Sequence, residues 1–199
     1  MLGDLVETIV GVESRTWRTV RDLCVRPGTV VRDYVGGHRA RYVNPLRYAV
    51  LACALWWLVV NLLAPASDPA TAPALRALMR HGQWLNLALL PALAVPLWLA
   101  FAWERFSYVD HLCCLLFCCG HVFLWRSLLT AVGTLLPASW AGAVQIADGI
   151  LFLVYLGWAI TTCHWRRARL VVLRTLVALF GLVFANGHLA SVVARWLTG

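Results

Sequence analysis

Three groups of side chains in this sequence have the types and spacing to do chemistry. The first is the stretch DHLCCLLFCCGH, Asp110 to His121. On a helix His111, Cys114, Cys118, His121 and Trp125 recur at intervals of three and four and form one stripe. Imidazole and thiolate are metal ligands, which makes Cys114, Cys118 and His121 the residues to consider for a metal. The spacing limits that reading. His111 and His121 lie about 15 Å apart along a helix axis, too far to share one ion. Cys114 with Cys118, or Cys118 with His121, supplies two ligands, and zinc would need others from Cys163 or His164. Cysteines as small packing residues in a tight helix interface explain the same stripe. No cofactor is therefore expected; the alternatives are a metal here or a haem held through His121 and His188.

The second group is scattered in sequence and gathered by depth. Arg126, Asp148, Asn186, His188 and Asn61 all interrupt long apolar runs. If those runs cross a membrane as alternating antiparallel helices, all five fall in the same outer half. The link between the runs bearing Arg126 and Asp148 (Pro137 to Gly142) is short, so those two helices are neighbours and the charges can pair. An unpaired charge at that depth costs at least about 2.5 kcal/mol, so pairing is the expected outcome. Such a cluster is either a hydrated path for protons or a small solute, or a static bridge that fixes helix packing.

The third group is basic. Arg32, Arg39, Arg41 and Arg47 alternate with Tyr34, Tyr42 and Tyr48 just ahead of the first apolar run. Guanidinium forks bind phosphate bidentately and tyrosine suits the headgroup level. Arg32, Arg39, Arg41, Arg47 and Tyr42 are therefore the expected contacts to anionic lipid, or to a phosphorylated lipid substrate or partner. Glu104 and Asp110 are expected on the same face, paired with Arg105 or with these arginines.

The elements that must position these groups follow from hydropathy. Apolar residues make up 61% of the 199 residues and charged residues 13%, more apolar surface than a soluble domain of this length can bury. Five runs are long enough for the roughly 20 residues that a bilayer demands: Leu46 to Leu63, Trp84 to Trp103, His111 to Leu136, Ala143 to Cys163 and Leu170 to Ala190. Pro91 and Pro96 should kink the second, which leaves open whether it fully spans. Between the first two lies an Ala/Pro-rich loop with a helical turn near Leu75 to Arg80. Ahead of the runs, residues 2 to 24 read as an amphipathic helix, with Leu5, Ile9, Val12, Val20 and Leu23 on one side and Arg15, Arg18, Arg21 and Asp22 on the other. Pro27-Gly28 breaks it, and Gly36-Gly37 ends a second short helix from about Thr29 to Val35. The expected fold is an all-α integral membrane protein: an arginine-rich amphipathic cytoplasmic interfacial segment over 1–45 and a bundle of about five transmembrane helices over 46–199.

Every basic residue among the 17 is arginine, and nine acids leave a net charge of +8. With this apolar content the charge points to anionic lipid headgroups, not nucleic acid. Eight arginines precede the first run or stand in its first turn and three follow the fourth, against Arg76 and Arg80 on the other side, which places the N-terminus in the cytoplasm. Seven cysteines, mostly in apolar runs, imply no disulfide framework. Asp4, Glu7 and Glu13 interrupt what would have to be a signal peptide's apolar region. There is no HExxH, no Walker glycine loop and no GxSxG.

From Arg26 to Tyr48 the sequence reads RPGTVVRDYVGGHRARYVNPLRY. It resembles an uncharacterised family of bacterial inner-membrane proteins with RPG, Tyr, Gly-x-Arg, Tyr and Pro just before the first span. The matching positions are Arg26, Pro27, Gly28, Tyr34, Gly37, Arg39, Tyr42 and Pro45. A later Asp110-His111-Leu112 resembles that family's acid-His-Leu motif, with Asp where Glu is usual. The N-terminal zinc ribbon of many members is missing here, since no CxxC pair precedes Arg26. The resemblance implies a multi-pass protein of the bacterial inner membrane and carries no activity.

Function expectations follow in order. The first is a small transporter or channel moving protons or a small charged solute through the polar cluster. The alternative is a non-catalytic scaffold or assembly subunit of a larger membrane complex. A lipid-modifying or metal-dependent enzyme using Asp110, His111 and the cysteine stripe comes third. Expected partners are anionic lipids, further copies of the chain or other membrane subunits, and no nucleic acid.

Overall fold

The computed structural model describes residues 2–63, 73–101 and 106–163. The fifth apolar run, with Asn186 and His188, lies outside the described residues, as do Glu104, Arg105 and His164. The described residues form six helices and no strand: α1 Leu2–Val25, α2 Pro27–Val35, α3 Pro45–Leu63, α4 Pro73–Ala100, α5 Tyr108–Gly133 and α6 Ala141–Cys163, with 3-10 turns at Arg39–Arg41 and Ala138–Trp140.

Helix boundaries are set by residues whose backbone habits are strong. Pro27 and Pro45 each open a helix, where a missing N–H costs nothing and the ring's φ is already helical. The chain between α1 and α2 is therefore reduced to Arg26 alone, so Pro27 begins the second helix instead of breaking the first. Gly37, at φ +103°, makes the left-handed step that turns the chain after α2. Ser107 and Asp110 form a reciprocal capping box at the start of α5: the Ser107 N–H donates to Asp110 Oδ2 at 2.7 Å and the Asp110 N–H to Ser107 Oγ at 3.3 Å. That box begins α5 three residues before the apolar run, and it occupies the Asp110 carboxylate.

Among the described residues three stretches are long and apolar enough to cross a bilayer: Arg39–Leu63, Tyr108–Gly133 and Ile146–Cys163. The second run differs from expectation. Helix α4 begins at Pro73 and continues through Pro91 and Pro96, but its apolar part, Trp84–Ala100, falls in a shorter class. At 1.5 Å per residue that part reaches about 25 Å, a little less than the hydrocarbon core. The Pro91 carbonyl accepts a hydrogen bond from the Tyr108 hydroxyl at 2.7 Å, which ties α4 to the start of α5.

The outward faces suit lipid. Leu51, Leu55, Leu58 and Leu62 of α3 are all exposed, and their spacing of four, three and four puts them on one stripe. Ile146, Ile150, Leu153 and Val154 repeat the pattern on α6. Soluble helices turn such stripes inward; acyl chains accept them outward. The inward faces form a main cluster that joins Leu23, Val30, Val31 and Tyr42 to Leu97, Phe101, Leu115, Phe117 and Ile160, with a smaller one of Ala52, Cys53 and Phe123 beside it. Residues on both sides of position 45 thus share a core. The last turns of α1 and all of α2 are wedged among the spans, which differs from a helix resting flat on the headgroups.

Candidate functional site

A cluster of polar side chains joins α1, α2 and the turn after α2. It begins with Asp22, which the amphipathic projection put on the polar side of α1. The structure buries it at 2% exposure. Its Oδ1 accepts from Arg21 at 3.0 Å and its Oδ2 from Arg26 at 3.3 Å. Burial works to raise the Asp22 carboxyl, but the hydrogen bonds and charges of Arg21 and Arg26 together outweigh it and hold the group below its ordinary value of 3.8. The Tyr42 hydroxyl sits between two carboxylates, 3.4 Å from Asp22 Oδ2 and 3.2 Å from Asp33 Oδ2. Arg41 closes the set on Asp33 at 3.7 Å. One residue further along, the Val43 N–H donates to Thr19 Oγ1 at 3.1 Å, so the chain after α2 is stitched back to α1.

Tyr42 is 3% exposed, turned inward with its hydroxyl between the two acids, and so does not face lipid. The other interleaved tyrosines turn inward as well. Tyr34 packs edge-on against Phe117, and Tyr48 is buried. The arginines keep to the outside. Arg32, Arg39, Arg41 and Arg47 are exposed, with Arg39 over the Tyr34 ring at 5.9 Å and Arg41 over the Tyr42 ring at 5.6 Å.

The hairpin is fastened to the spans at three further points. His121, 1% exposed, bridges α3 and α1: its Nδ1 lies 3.0 Å from the Tyr48 hydroxyl and its Nε2 lies 3.4 Å from Cys24 Sγ. The imidazole stacks on Tyr155 at 5.1 Å, and the Tyr155 hydroxyl donates to the Leu23 carbonyl at 3.2 Å. Gly28 lets α2 touch α6, since a Cβ there would sit 2.4 Å from the Thr162 carbonyl carbon. Gly120 does the same for α3 on α5, against Tyr48 and Ala49.

The histidines and cysteines of the stripe each have neighbours in the bundle. His121 has both ring nitrogens engaged with Tyr48 and Cys24. His111 Nδ1 lies 2.9 Å from the Ser107 carbonyl oxygen, with the ring near Phe101 and Phe106. Cys114 and Cys118 are buried beside Cys163. Among the described residues no group of three or more His, Cys, Asp or Glu side chains is arranged to hold a metal ion.

Arg126 and Asp148 do meet. Arg126 Nε lies 3.0 Å from both carboxylate oxygens and its Nη2 lies 2.9 Å from Oδ2. The guanidinium is flanked by the Trp56 ring at 5.3 Å and the Phe152 ring at 5.8 Å. Asn61 is not brought in: it donates to the Trp57 carbonyl of its own helix and is exposed.

The residues of the RPG stretch thus have local work. Arg26 links α1 to α2 and pairs with Asp22, Pro27 and Pro45 open helices, Gly28 admits α6, and Gly37 turns the chain. Sequence reasoning missed Asp22, Cys24, Asp33 and Tyr155. An i, i+4 acid–arginine spacing signals the Asp22–Arg26 pair. No local signal pairs Cys24 with His121 or Leu23 with Tyr155, which lie 97 and 132 residues apart. A family model described as "Protein of unknown function (DUF3667)" matches residues 13–56, which takes in the second half of α1, all of α2 and the larger part of α3. No curated protein and no solved structure matches the chain.

Proposed function

We propose that this chain is a non-catalytic scaffold or assembly subunit of a larger membrane complex. Its rigidly held hairpin offers an arginine-bearing face to a partner and to anionic headgroups. The observation that carries this reading is the fastening of the hairpin, through Cys24–His121–Tyr48, Tyr155–Leu23 and Gly28–Thr162. A surface that is fixed in this way is pre-organised to dock, and docking then costs little ordering entropy. Arg39, Arg41 and Arg47 are the outward groups. The arginine bias supports a cytoplasmic position for this face, hydropathy supports five spans, and the resemblance of the RPG stretch supports a bacterial inner membrane. The protein works as a homo-oligomer or with other membrane subunits, and no cofactor enters this role.

Affinity purification of the full chain in mild detergent tests the proposal. A foreign subunit should come down in stoichiometric amount and be lost with Arg39→Glu/Arg41→Glu, while that variant keeps its helicity and elution volume. A chain that purifies without any such subunit sinks the scaffold reading.

One observation favours a second reading, transport of protons or a small charged solute. Arg126 and Asp148 form an ion pair inside two spanning helices, and ionisable groups at that depth mark pathways by default. The pairing of the guanidinium with Asp148 through Nε and Nη2 and its aromatic flanks fit a packing clamp better. Proteoliposome flux decides: transport requires a proton or ion flux that Asp148→Asn abolishes.

A further inference from the structure

Beside the hairpin's attachment to α6 lies an open cavity of about 430 Å³, lined by Val25, Arg26, Thr29, Arg32, Trp158 and Thr162. That volume is in the range of small-ligand sites. Its polar wall is built of donors with capacity to spare. A guanidinium carries five N–H groups. Arg26 commits one nitrogen to Asp22 at 3.3 Å, and Arg32 commits one to the Thr29 hydroxyl, also at 3.3 Å. Thr29 Oγ1 accepts that bond, which leaves its own hydrogen to donate. Thr162 differs, since its hydroxyl donates back to the Trp158 carbonyl at 2.7 Å. The Arg26 charge is offset by Asp22. Among the described residues Arg32 makes no ion pair, and no carboxylate lines the cavity, so the wall has an uncompensated positive charge.

The opposite wall is apolar and exposed. Val25 is 67% and Trp158 39% exposed. Trp158 and Thr162 lie in the last two turns of α6, where a spanning helix leaves the hydrocarbon. Two arginine forks and a hydroxyl with its hydrogen left to donate on one side, with an indole and a valine on the other, match a charged phosphate that has an apolar extension.

We infer that this cavity is a discrete site for a phosphate group, held by Arg26, Arg32 and Thr29. The source is either the phosphodiester of an anionic lipid, with its first methylenes against Trp158 and Val25, or a free phosphate. The site goes beyond the scaffold reading and does not depend on it.

Native mass spectrometry of the full chain in detergent tests the site, titrating phosphatidylglycerol against phosphatidylcholine. Arg32→Gln is the probe variant and Arg18→Gln, an exposed arginine outside the cavity, is the charge-matched control. Phosphatidylglycerol affinity should fall about tenfold in Arg32→Gln, the loss expected for one charge-assisted contact, and stay within about twofold in Arg18→Gln. Arg32→Lys, which keeps the charge and loses the fork, should fall in between. Unchanged thermal unfolding of Arg32→Gln separates lost binding from lost fold. A second titration with inorganic phosphate assigns the source: competition at millimolar levels marks a free-anion site, and none marks a lipid site. Equal losses in Arg32→Gln and Arg18→Gln, or no loss in either, would overturn the inference, because the basic surface would then act as a diffuse whole.

Discussion

At the scale of single residues, the hairpin depends on a few groups with no room to change. Gly28 is the clearest. A methyl there would overlap the Thr162 backbone, which cannot swing aside as a side-chain tip would. Gly28→Ala should therefore cost about 1–3 kcal/mol, the usual cost of overpacking, seen as a lower unfolding temperature in detergent. Gly149→Ala, where a Cβ meets nothing within 4 Å, should leave it unmoved. Asp22 sets an acid limit. Its carboxyl is held below its ordinary value by Arg21 and Arg26 against the pull of burial. A group whose folded value is depressed lends stability in full above its unfolded value and loses it as the pH falls through the folded one. Stability should stay level from neutral pH to about 5 and drop below about 4, and the drop should be shallower in Asp22→Asn; thermal melts across that range read both slopes. Cys24 is exposed, yet desolvation raises its thiol above the ordinary 9.0. It should react with iodoacetamide at pH 7.5 more slowly than glutathione does in the same vial, as peptide mass spectrometry can follow. Asp22 and Cys24 show why the sequence understated this site: an amphipathic projection sorts residues by face, but not by what another helix brings to that face.

At the scale of elements, prolines, glycines and the Ser107–Asp110 box made the helix ends legible, and hydropathy made the spans legible. The Arg126–Asp148 pairing followed from a short link and two charges at one depth. It is about a quarter exposed on each side, so its worth lies between the buried and surface limits. Breaking it with Asp148→Asn should cost about 1–3 kcal/mol. The double variant Arg126→Met/Asp148→Leu should recover most of that loss in thermal unfolding, since it leaves no unpaired charge. A double variant as unstable as the single one would mean that the pair contributes more than mutual neutralisation. The cysteine–histidine stripe was legible as a stripe, but not in its use. Its spacing is the same whether the groups ligate a metal or pack, and the partners of His121 come from α1, α3 and α6.

At the scale of the whole molecule, apolar stripes facing outward on α3 and α6 fit a chain set in a bilayer. The amphipathic character of α1 was visible in the sequence, but the wedging of its last turns among α5 and α6 was not. An apolar face looks the same whether it meets headgroups or helices. That difference decides what the hairpin can do, since a wedged hairpin moves only with the spans and a resting one can lift away. Hydrogen–deuterium exchange of the full chain in nanodiscs addresses it most directly. The amides of Val30 and Val31 should exchange as slowly as those of Phe117 and Cys118, with the same temperature dependence, because all four open only when the bundle opens. Exchange of the α2 amides orders of magnitude faster than that of α5 would show a hairpin that detaches on its own, and would contradict a fixed docking face.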